Sequence, residues 1–320
     1  MSLIDKLDII NCKSWMSIGD CNYEYDYPEE GQIPPSGVVY CNIEHITKFF
    51  DKCKLTDNKY VVVSGFSDSG PAYQKEHPVA NDMLKWLPFL EEEILKIGYQ
   101  SLKIGPRCNI ENCNIDDVYS VKMYSFTNAT FDKIPDNIIK WFVVNPQVIQ
   151  NKIQGIPIGV GTASTNDIFN TDLVSFEDRK NWLYINWQNY TNERMHLKNY
   201  FERNDFDWVT YYTKPERDTL DYFKDLASHV FVACPFGNGL DCYRILESIY
   251  LGSIPIVIDC PMVKYLSGLP ILTIQDWGQL SLEFLKERHK ELEKLEFNLD
   301  KSKLSYWKNI IRRSFDEGVS

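Results

Sequence analysis

Residues 229–259, HVFVACPFGNGLDCYRILESIYLGSIPIVID, constrain the fold of this chain more than any other stretch. An apolar run at 229–234 has the length and composition of a buried strand. A glycine-containing turn then leads into a helical pattern over 241–251, for which Asp241 is a plausible N-cap. A second apolar run follows at 254–258. Strand, turn, helix and strand in this order predict a βαβ unit with parallel strands, and therefore an α/β fold.

The turn of this unit has the chemistry of a phosphate site. Gly237 and Gly239 leave the backbone amides open at the start of the helix, where the helix dipole favours an anion. Arg244 and Glu247 are three residues apart, so they share one helix face. Arg244 can pair with a phosphate, and Glu247 can accept hydrogen bonds from the two hydroxyls of a ribose. The alternative is that the glycines only make a tight turn and that Arg244 and Glu247 pair with each other.

This segment resembles the donor-site signature of exostosin-type glycosyltransferases, P-x-G-x-G-x-D-x-x-R-x-x-E-x-x-x-x-G-x-x-P-(I/V)-(I/V). Eight positions match: Pro235, Gly237, Gly239, Asp241, Arg244, Glu247, Gly252 and Pro255. A second segment, KWFVVN at 140–145 followed by IPIG at 156–159, is similar to the family's K-W-F-x-x-N … I-P-I-G. The resemblance covers roughly residues 60–276 and leaves the first fifty-odd residues outside it.

The resemblance implies a GT-B fold, in which two Rossmann-like domains face each other across a cleft. Residues 1–165 would form the N-terminal, acceptor-binding domain, and residues 176–300 the C-terminal domain that binds a nucleotide-sugar. Residues 161–175 are expected to link the two, and residues 301–320 to form a helix that returns toward the N-terminal domain. The implied reaction moves a sugar from a nucleotide-diphosphate-sugar, expected to be UDP-linked, to a hydroxyl acceptor by a metal-independent, inverting displacement.

The donor-binding residues implied by the resemblance are Asn186, Thr191, Arg194, Pro235, Gly237, Asn238, Gly239, Asp241, Arg244 and Glu247. The first three follow the predicted strand at 181–186, where the family has a polar T-N-x-x-R. The corresponding TNER of this chain is one residue shorter. Arg194 would help to hold the diphosphate, and the alternative is a surface arginine in a first helical turn.

The candidate general base is Asp68. It follows the apolar run at 60–64 in the segment SGFSDSG, which is similar to a Ser/Asn-rich loop with an Asp in the family. The carboxyl end of a parallel strand is also where open α/β sheets bind ligands. His77 is the alternative base, because an unperturbed imidazole has a pKa near 6.5, and Glu76 and Asp82 are further rivals. The structural alternative is that Asp68 only caps the turn.

The acceptor is expected to be a glycan. Within residues 1–38, five of the carboxylates lie around three tyrosines, and the simplest interpretation is a solvated surface; they are Asp20, Glu24, Asp26, Glu29 and Glu30. They would alternatively form an acceptor-binding flap, since aromatic rings stack on sugars and bases. A different acceptor would be 5-hydroxymethylcytosine in phage-type DNA. The net charge of −11 weighs against DNA, because strong binding to a duplex needs a basic surface. A third alternative is a non-catalytic nucleotide-binding protein of the same fold.

No cofactor or metal is expected beyond the nucleotide-sugar co-substrate. The one Asp-x-Asp triplet, at 205–207, precedes a predicted strand instead of ending one, and the nine cysteines are predicted to be reduced thiols. No apolar window approaches the roughly 18 residues of a membrane span, and the N-terminus lacks the pattern of a signal peptide. The sequence thus predicts a cytoplasmic protein without a membrane partner. Its Asn/Lys/Ile-rich usage is typical of an AT-rich viral or bacterial genome.

Overall fold

A computed structural model describes residues 8–65, 67, 69–73, 119–122, 128–131, 133–179, 181–187, 192–212, 218–237 and 239–320. The strands in this part of the chain are β1 (Cys21–Asn22), β2 (Gly37–Tyr40), β3 (Tyr60–Ser64), β4 (Pro71–Tyr73), β5 (Tyr119–Lys122), β6 (Asn128–Phe131), β7 (Ile138–Val143), β8 (Ile153–Gly155), β9 (Asn181–Ile185), β10 (Val209–Tyr211), β11 (His229–Ala233), β12 (Ile254–Ile258) and β13 (Leu272–Ile274). The α-helices are α1 (Tyr23–Asp26), α2 (Ile46–Cys53), α3 (Thr165–Phe169), α4 (Asn192–Asn204), α5 (Thr219–Ala227), α6 (Tyr243–Tyr250), α7 (Pro261–Tyr265), α8 (Leu282–Leu292) and α9 (Leu304–Val319).

Two five-stranded sheets are parallel throughout. The first has the strand order β1-β2-β3-β7-β8 and the second has the order β10-β9-β11-β12-β13. A smaller antiparallel sheet has the order β4-β5-β6. The predicted α/β class with parallel sheets is therefore confirmed. The domain boundaries and the arrangement of two domains across a cleft stay predictions.

Alternation along the strands explains how the first sheet is buried on both faces. Val61 and Val63 of β3 face one hydrophobic cluster, whereas Tyr60 and Val62 face another, because successive side chains of a strand point to opposite sides. Helix α2 covers the second face with Phe49 and Phe50, which are both buried.

The opposite face of the first sheet is covered by the two ends of the chain. The indole rings of Trp15 and Trp307 meet edge to face with their centroids 6.3 Å apart, and both side chains are fully buried. Helix α9 packs against β2, β3 and β7. A Cβ added to Gly318 would lie 2.5 Å from the Ile139 side chain, so the last turn of α9 sits close to the sheet.

The second sheet contains the predicted βαβ unit. Strands β11 and β12 are parallel neighbours, and α6, which joins them, packs against β12. All five residues of β11 are buried, as expected for a central strand covered on both sides.

The structure differs from the sequence pattern at two places. The pattern at 276–288 predicts one helix, but it is divided, because Leu280 is extended and Ser281 caps a new helix, α8, by accepting a hydrogen bond from the Phe284 N–H. The pattern of the first 38 residues predicts irregular structure, but they supply the edge strand β1. Residues 161–175 contain α3, whose Ile168 is buried, and their role as a linker stays a prediction.

The sequence at 81–97 has apolar residues at helical spacing and predicts an amphipathic helix, but it lies outside the described residues. Within the described ranges, no helix has both the length and the apolar composition needed to cross a bilayer.

Candidate functional site

The glycine loop between β11 and α6 begins at the carboxyl end of a central strand of the second sheet. Its two glycines are needed for close packing. A Cβ added to Gly237 would lie 3.0 Å from Nη2 of Arg194, and one added to Gly239 would lie 2.7 Å from Cγ, Oδ1 and Nδ2 of Asn145. Any side chain at Gly239 would displace the Asn145 amide. The loop is thus held between Arg194 of helix α4 and Asn145, which follows β7 of the first sheet.

Arg194 lies in the first turn of α4 and supports the loop directly. Its side chain is buried, with Nε donating to the carbonyl oxygen of Phe236 at 2.9 Å and Nη2 donating to that of Pro235 at 3.1 Å. The alternative of a surface arginine is therefore wrong. Its predicted contact with the diphosphate stays a prediction, because loop carbonyls already occupy two of its donors.

Arg244 lies at the start of α6, and its Nε is buried with no hydrogen-bond partner in the described part of the chain. Burial lowers the pKa of its guanidinium. The neighbouring acidic groups Tyr222, Cys242 and Glu247 raise this pKa by more than burial lowers it, so the net shift is upward. Arg244 therefore keeps its charge at any ordinary pH. A buried guanidinium N–H without an acceptor is costly, and an anionic ligand at this position would satisfy it.

Glu247 is close to Arg244 but does not form an ion pair with it. Between these two described residues there is neither a salt bridge nor a hydrogen bond, so the alternative in which they pair is wrong. The Glu247 carboxylate is 5% exposed and accepts a hydrogen bond at Oε2 from the Tyr222 hydroxyl at 2.9 Å. Burial raises its pKa to about 7, although the Arg244 charge and the Tyr222 hydrogen bond act in the opposite direction. Its Oε1 accepts no hydrogen bond within the described ranges.

Cys242 reports the electrostatic character of the loop. Hydrogen bonding with the Cys234 side chain and the charges of Arg244 and Arg194 together lower the pKa of the Cys242 thiol, although burial opposes them. Both arginines therefore place positive potential on Cys242, the residue immediately before α6. The N-terminus of the helix dipole adds to this potential.

An aromatic cluster adjoins Glu247. The rings of Tyr212 and Tyr222 lie 5.8 and 6.3 Å from that of Tyr184, centroid to centroid. The amide of Asn186, at the end of β9, donates to the Tyr184 hydroxyl at 3.1 Å, so this predicted site residue reaches the same cluster. Tyr222 is a site residue that no sequence motif indicated. Its only signal was a position in α5, the helix that immediately precedes the βαβ unit.

Asn145 connects the glycine loop to the first sheet. Its Oδ1 accepts a hydrogen bond from the Asp241 N–H at 2.7 Å, and its Nδ2 donates to the carbonyl oxygen of Ser67 at 2.9 Å. The residue is 1% exposed and has a positive φ of 53°, a conformation that asparagine adopts more readily than most residues. These two hydrogen bonds and the positive φ give a physical reason why the KWFVVN segment ends in asparagine.

Asp241 is not the N-cap of α6. The cap is Cys242, whose side chain makes no capping hydrogen bond. The Asp241 carboxyl instead accepts a hydrogen bond at Oδ2 from the Ile158 N–H at 2.7 Å, in the IPIG segment. Burial raises its pKa to about 8, against the opposing effect of the backbone N–H donors. Asp241 thus joins the loop to the first part of the chain, and its assignment as a donor contact remains untested.

The other predicted site residues cannot be placed. Asp68, His77, Thr191 and Asn238 lie outside the described residues.

Seven of the nine cysteines fall within the described ranges, and all seven are free thiols. In those ranges no three His, Cys, Asp or Glu side chains are grouped so that they could hold a metal ion.

Replacing Asn145 by alanine is expected to lower the free energy of unfolding by about 2–4 kcal/mol. The change removes the partners of the Asp241 N–H and the Ser67 carbonyl, and each buried backbone group left unpaired costs about 1–3 kcal/mol. It also leaves a residue less tolerant of positive φ. Urea denaturation measures the effect, with Asn204→Ala on the exposed surface of α4 as the matched control. Equal stability of the two variants would contradict the role assigned to Asn145.

Comparisons with known proteins assign no family. No protein-family model matches the chain, and no curated protein matches it. Among solved structures, it is similar to the alpha,alpha-trehalose 6-phosphate synthase from Burkholderia multivorans with a TM-score of 0.40 and 9% sequence identity, over 90% of this chain and 73% of that chain. These values are too low to assign a shared fold or activity.

Proposed function

We propose that this protein is a glycosyltransferase of the GT-B fold that moves a sugar from a nucleotide-diphosphate-sugar, expected to be UDP-linked, to a hydroxyl acceptor. The observation that carries the proposal is the charged, partly buried Arg244 near the glycine loop, whose Nε is buried and lacks an acceptor in the described part of the chain. The exostosin-like spacing of the loop, Arg244 and Glu247 supports the same assignment. In this arrangement Arg244 and the loop amides bind the diphosphate and Glu247 binds the ribose hydroxyls.

The proposed reaction is a direct, metal-independent displacement at the anomeric carbon, with inversion. A general base, for which Asp68 is the candidate and His77 the alternative, takes the proton of the acceptor hydroxyl. The oxygen then bonds to the anomeric carbon while the bond from that carbon to the phosphate oxygen breaks, and the nucleoside diphosphate leaves with the electron pair. Arg244, the loop amides and the N-terminus of α6 stabilise the charge that develops on the leaving group.

The positions of the polar groups are consistent with donor binding at the glycine loop and proton transfer at the first sheet. The glycine loop follows β11 and the candidate base follows β3, so both come after the carboxyl ends of parallel strands. Asn145, at the end of β7, contacts both the glycine loop and Ser67, the residue before the candidate base in the sequence. A donor held at the loop and an acceptor held at the first sheet would meet along this line.

A glycan is the acceptor we favour. The net charge of −11, with 15 basic against 21 acidic residues in 1–165, gives little support to a duplex-DNA substrate such as one carrying 5-hydroxymethylcytosine. A non-catalytic nucleotide-binding protein would share the donor site, so binding alone does not separate it from an enzyme.

Isothermal titration calorimetry with UDP, GDP and TDP tests the donor site. We expect UDP to bind most tightly, and absence of binding by all three nucleotides would contradict the proposal. Release of UDP from UDP-glucose and UDP-N-acetylglucosamine is the second measurement. Turnover of either donor, with water or an added glycan as acceptor, supports an enzyme, whereas tight UDP binding without turnover of either supports the non-catalytic alternative.

A further inference from the structure

A cavity of about 580 Å³ lies at one side of the first sheet, and none of its lining residues belongs to the glycine loop. The segment before β1, the ends of β1 and β2 and the turns that follow them line it. Its lining includes Lys13, Asn22, Glu24, Tyr25, Asn42 and His45. The volume is in the range of small-molecule sites, which is about 300–1,000 Å³. These residues belong to the N-terminal part of the chain, which the donor-site signature does not cover.

The cavity lies at the carboxyl ends of the strands, which is also the end of the first sheet where Asn145 is found. Asn22 ends β1 and Tyr40 ends β2, while Asn145 lies just beyond the end of β7. The strands are parallel in the order β2-β3-β7, so their carboxyl ends share one edge. Two strand spacings of about 4.8 Å separate β2 from β7, which places the ends of these strands roughly 10 Å apart. A ligand in the cavity would therefore lie within reach of a donor bound at the glycine loop.

The cavity wall offers one free aromatic ring. Tyr25 is 73% exposed, whereas Tyr40 is buried and its hydroxyl donates to the carbonyl oxygen of Gly65 at 3.2 Å. Burying the Tyr25 ring against a ligand would remove apolar surface from water and fix a flat contact.

The polar groups around this ring are both donors and acceptors. Asn22 accepts a hydrogen bond at Oδ1 from the Glu24 N–H, and Asn42 accepts one at Oδ1 from the Glu44 N–H. The Nδ2 atoms of both asparagines donate no hydrogen bond within the described ranges. The His45 imidazole and the Lys13 ammonium are exposed and also make no hydrogen bond to any described residue. Glu24 accepts at Oε1 from the Asn42 N–H, which orients its carboxylate at the cavity. Charges of both signs around one flat ring suit a neutral ligand with many hydroxyls and one apolar face.

We propose that this cavity binds a carbohydrate and that this carbohydrate is the acceptor of the transfer reaction. The second part rests on the proposed function. The Tyr25 ring packs against the apolar face of a sugar ring, while Glu24, His45 and the two asparagine amides bond to its hydroxyls. The cavity thus selects a neutral saccharide and places it at the carboxyl ends of the strands, where Asn145 contacts the glycine loop.

Saturation-transfer NMR of the full chain, without donor, tests the cavity. The probes are maltose, cellobiose, lactose and N,N′-diacetylchitobiose. We expect at least one to bind, Tyr25→Ala and His45→Ala each to weaken that binding about tenfold or more, and Tyr25→Phe to retain it because the ring is kept. Leu55→Ala is the control, since Leu55 is 78% exposed and precedes β3 at the opposite edge of the sheet. Binding of none of the four, or equal binding by Tyr25→Ala and Leu55→Ala, would overturn the proposal.

UDP calorimetry on the same variants separates the two proposals. If the Tyr25 and His45 variants lose the disaccharide and keep wild-type UDP affinity, the cavity is an acceptor site distinct from the donor site. If the disaccharide binds in the cavity but no nucleotide binds to any variant, the carbohydrate site stands and its role as an acceptor site fails with the proposed function. If nucleotides bind and the cavity variants leave saccharide binding unchanged, the cavity assignment fails alone.

Discussion

Alanine in place of Arg244 is expected to lower kcat/KM for the nucleotide-sugar by about 10²–10³-fold, the range seen when one preorganised donor to a developing negative charge is removed. Arg244 is half-buried near the glycine loop, its buried Nε has no acceptor in the described part of the chain, and its charge is retained. Its removal takes away a donor that acts most strongly in the transition state, when the diphosphate gains charge. Steady-state kinetics on UDP-glucose or UDP-N-acetylglucosamine measure this effect.

Two further variants show whether the loss comes from the site. Arg313→Ala removes an arginine of the same size from the exposed face of α9 and should leave kcat/KM unchanged. Arg244→Lys keeps the charge but not the forked geometry, so it should restore only part of the activity. Nucleotide affinity and turnover in Arg244→Ala equal to those of Arg313→Ala would mean that the donor is bound elsewhere.

Replacing Asp68 by asparagine is expected to lower kcat by about 10²–10⁴-fold, the usual contribution of a general base. Asparagine has a similar size but cannot take a proton. Because the proposed base acts on the acceptor and not on the donor, the affinity for UDP should stay at the wild-type value. Turnover and UDP calorimetry on the same preparation give the two quantities.

Asp57→Asn is the matched control, because Asp57 is an exposed carboxylate before β3, at the opposite end of that strand from Asp68. His77→Gln tests the alternative base. If Asp68→Asn retains wild-type kcat while His77→Gln loses it, the imidazole has the role assigned here to the carboxylate. If both retain it, the base is neither residue.

Local patterns predicted the framework well. Alternating or continuous apolar runs gave β3, β11 and β12 nearly to the residue, because burial on both faces leaves a strong signal over short stretches. The break at Leu280 was missed, since it depends on a serine that begins a new helix inside a continuous helical pattern.

Contacts between distant segments could not be predicted from spacing. Asp241 had the position of a helix cap, but its carboxyl bonds to Ile158, 83 residues earlier. Arg194 had the position of a surface residue, yet it holds the carbonyls of Pro235 and Phe236. In each case the partner is a backbone group of another element, and side-chain type gives no information about which backbone group that will be. The donor-site signature singled out Arg194 and Asp241 but did not indicate these backbone contacts, and their roles in donor binding stay predictions.

The single amide of Asn145 joins the regions to which the two proposed substrates are assigned. It is hydrogen-bonded both to the backbone after β3 and to the backbone that leads into α6. If a ligand at one region alters the affinity of a ligand at the other through this amide, linkage requires the effect to be equal in both directions. Order of addition would then not alter the overall affinity of the ternary complex, but each substrate would set the dissociation constant of the other.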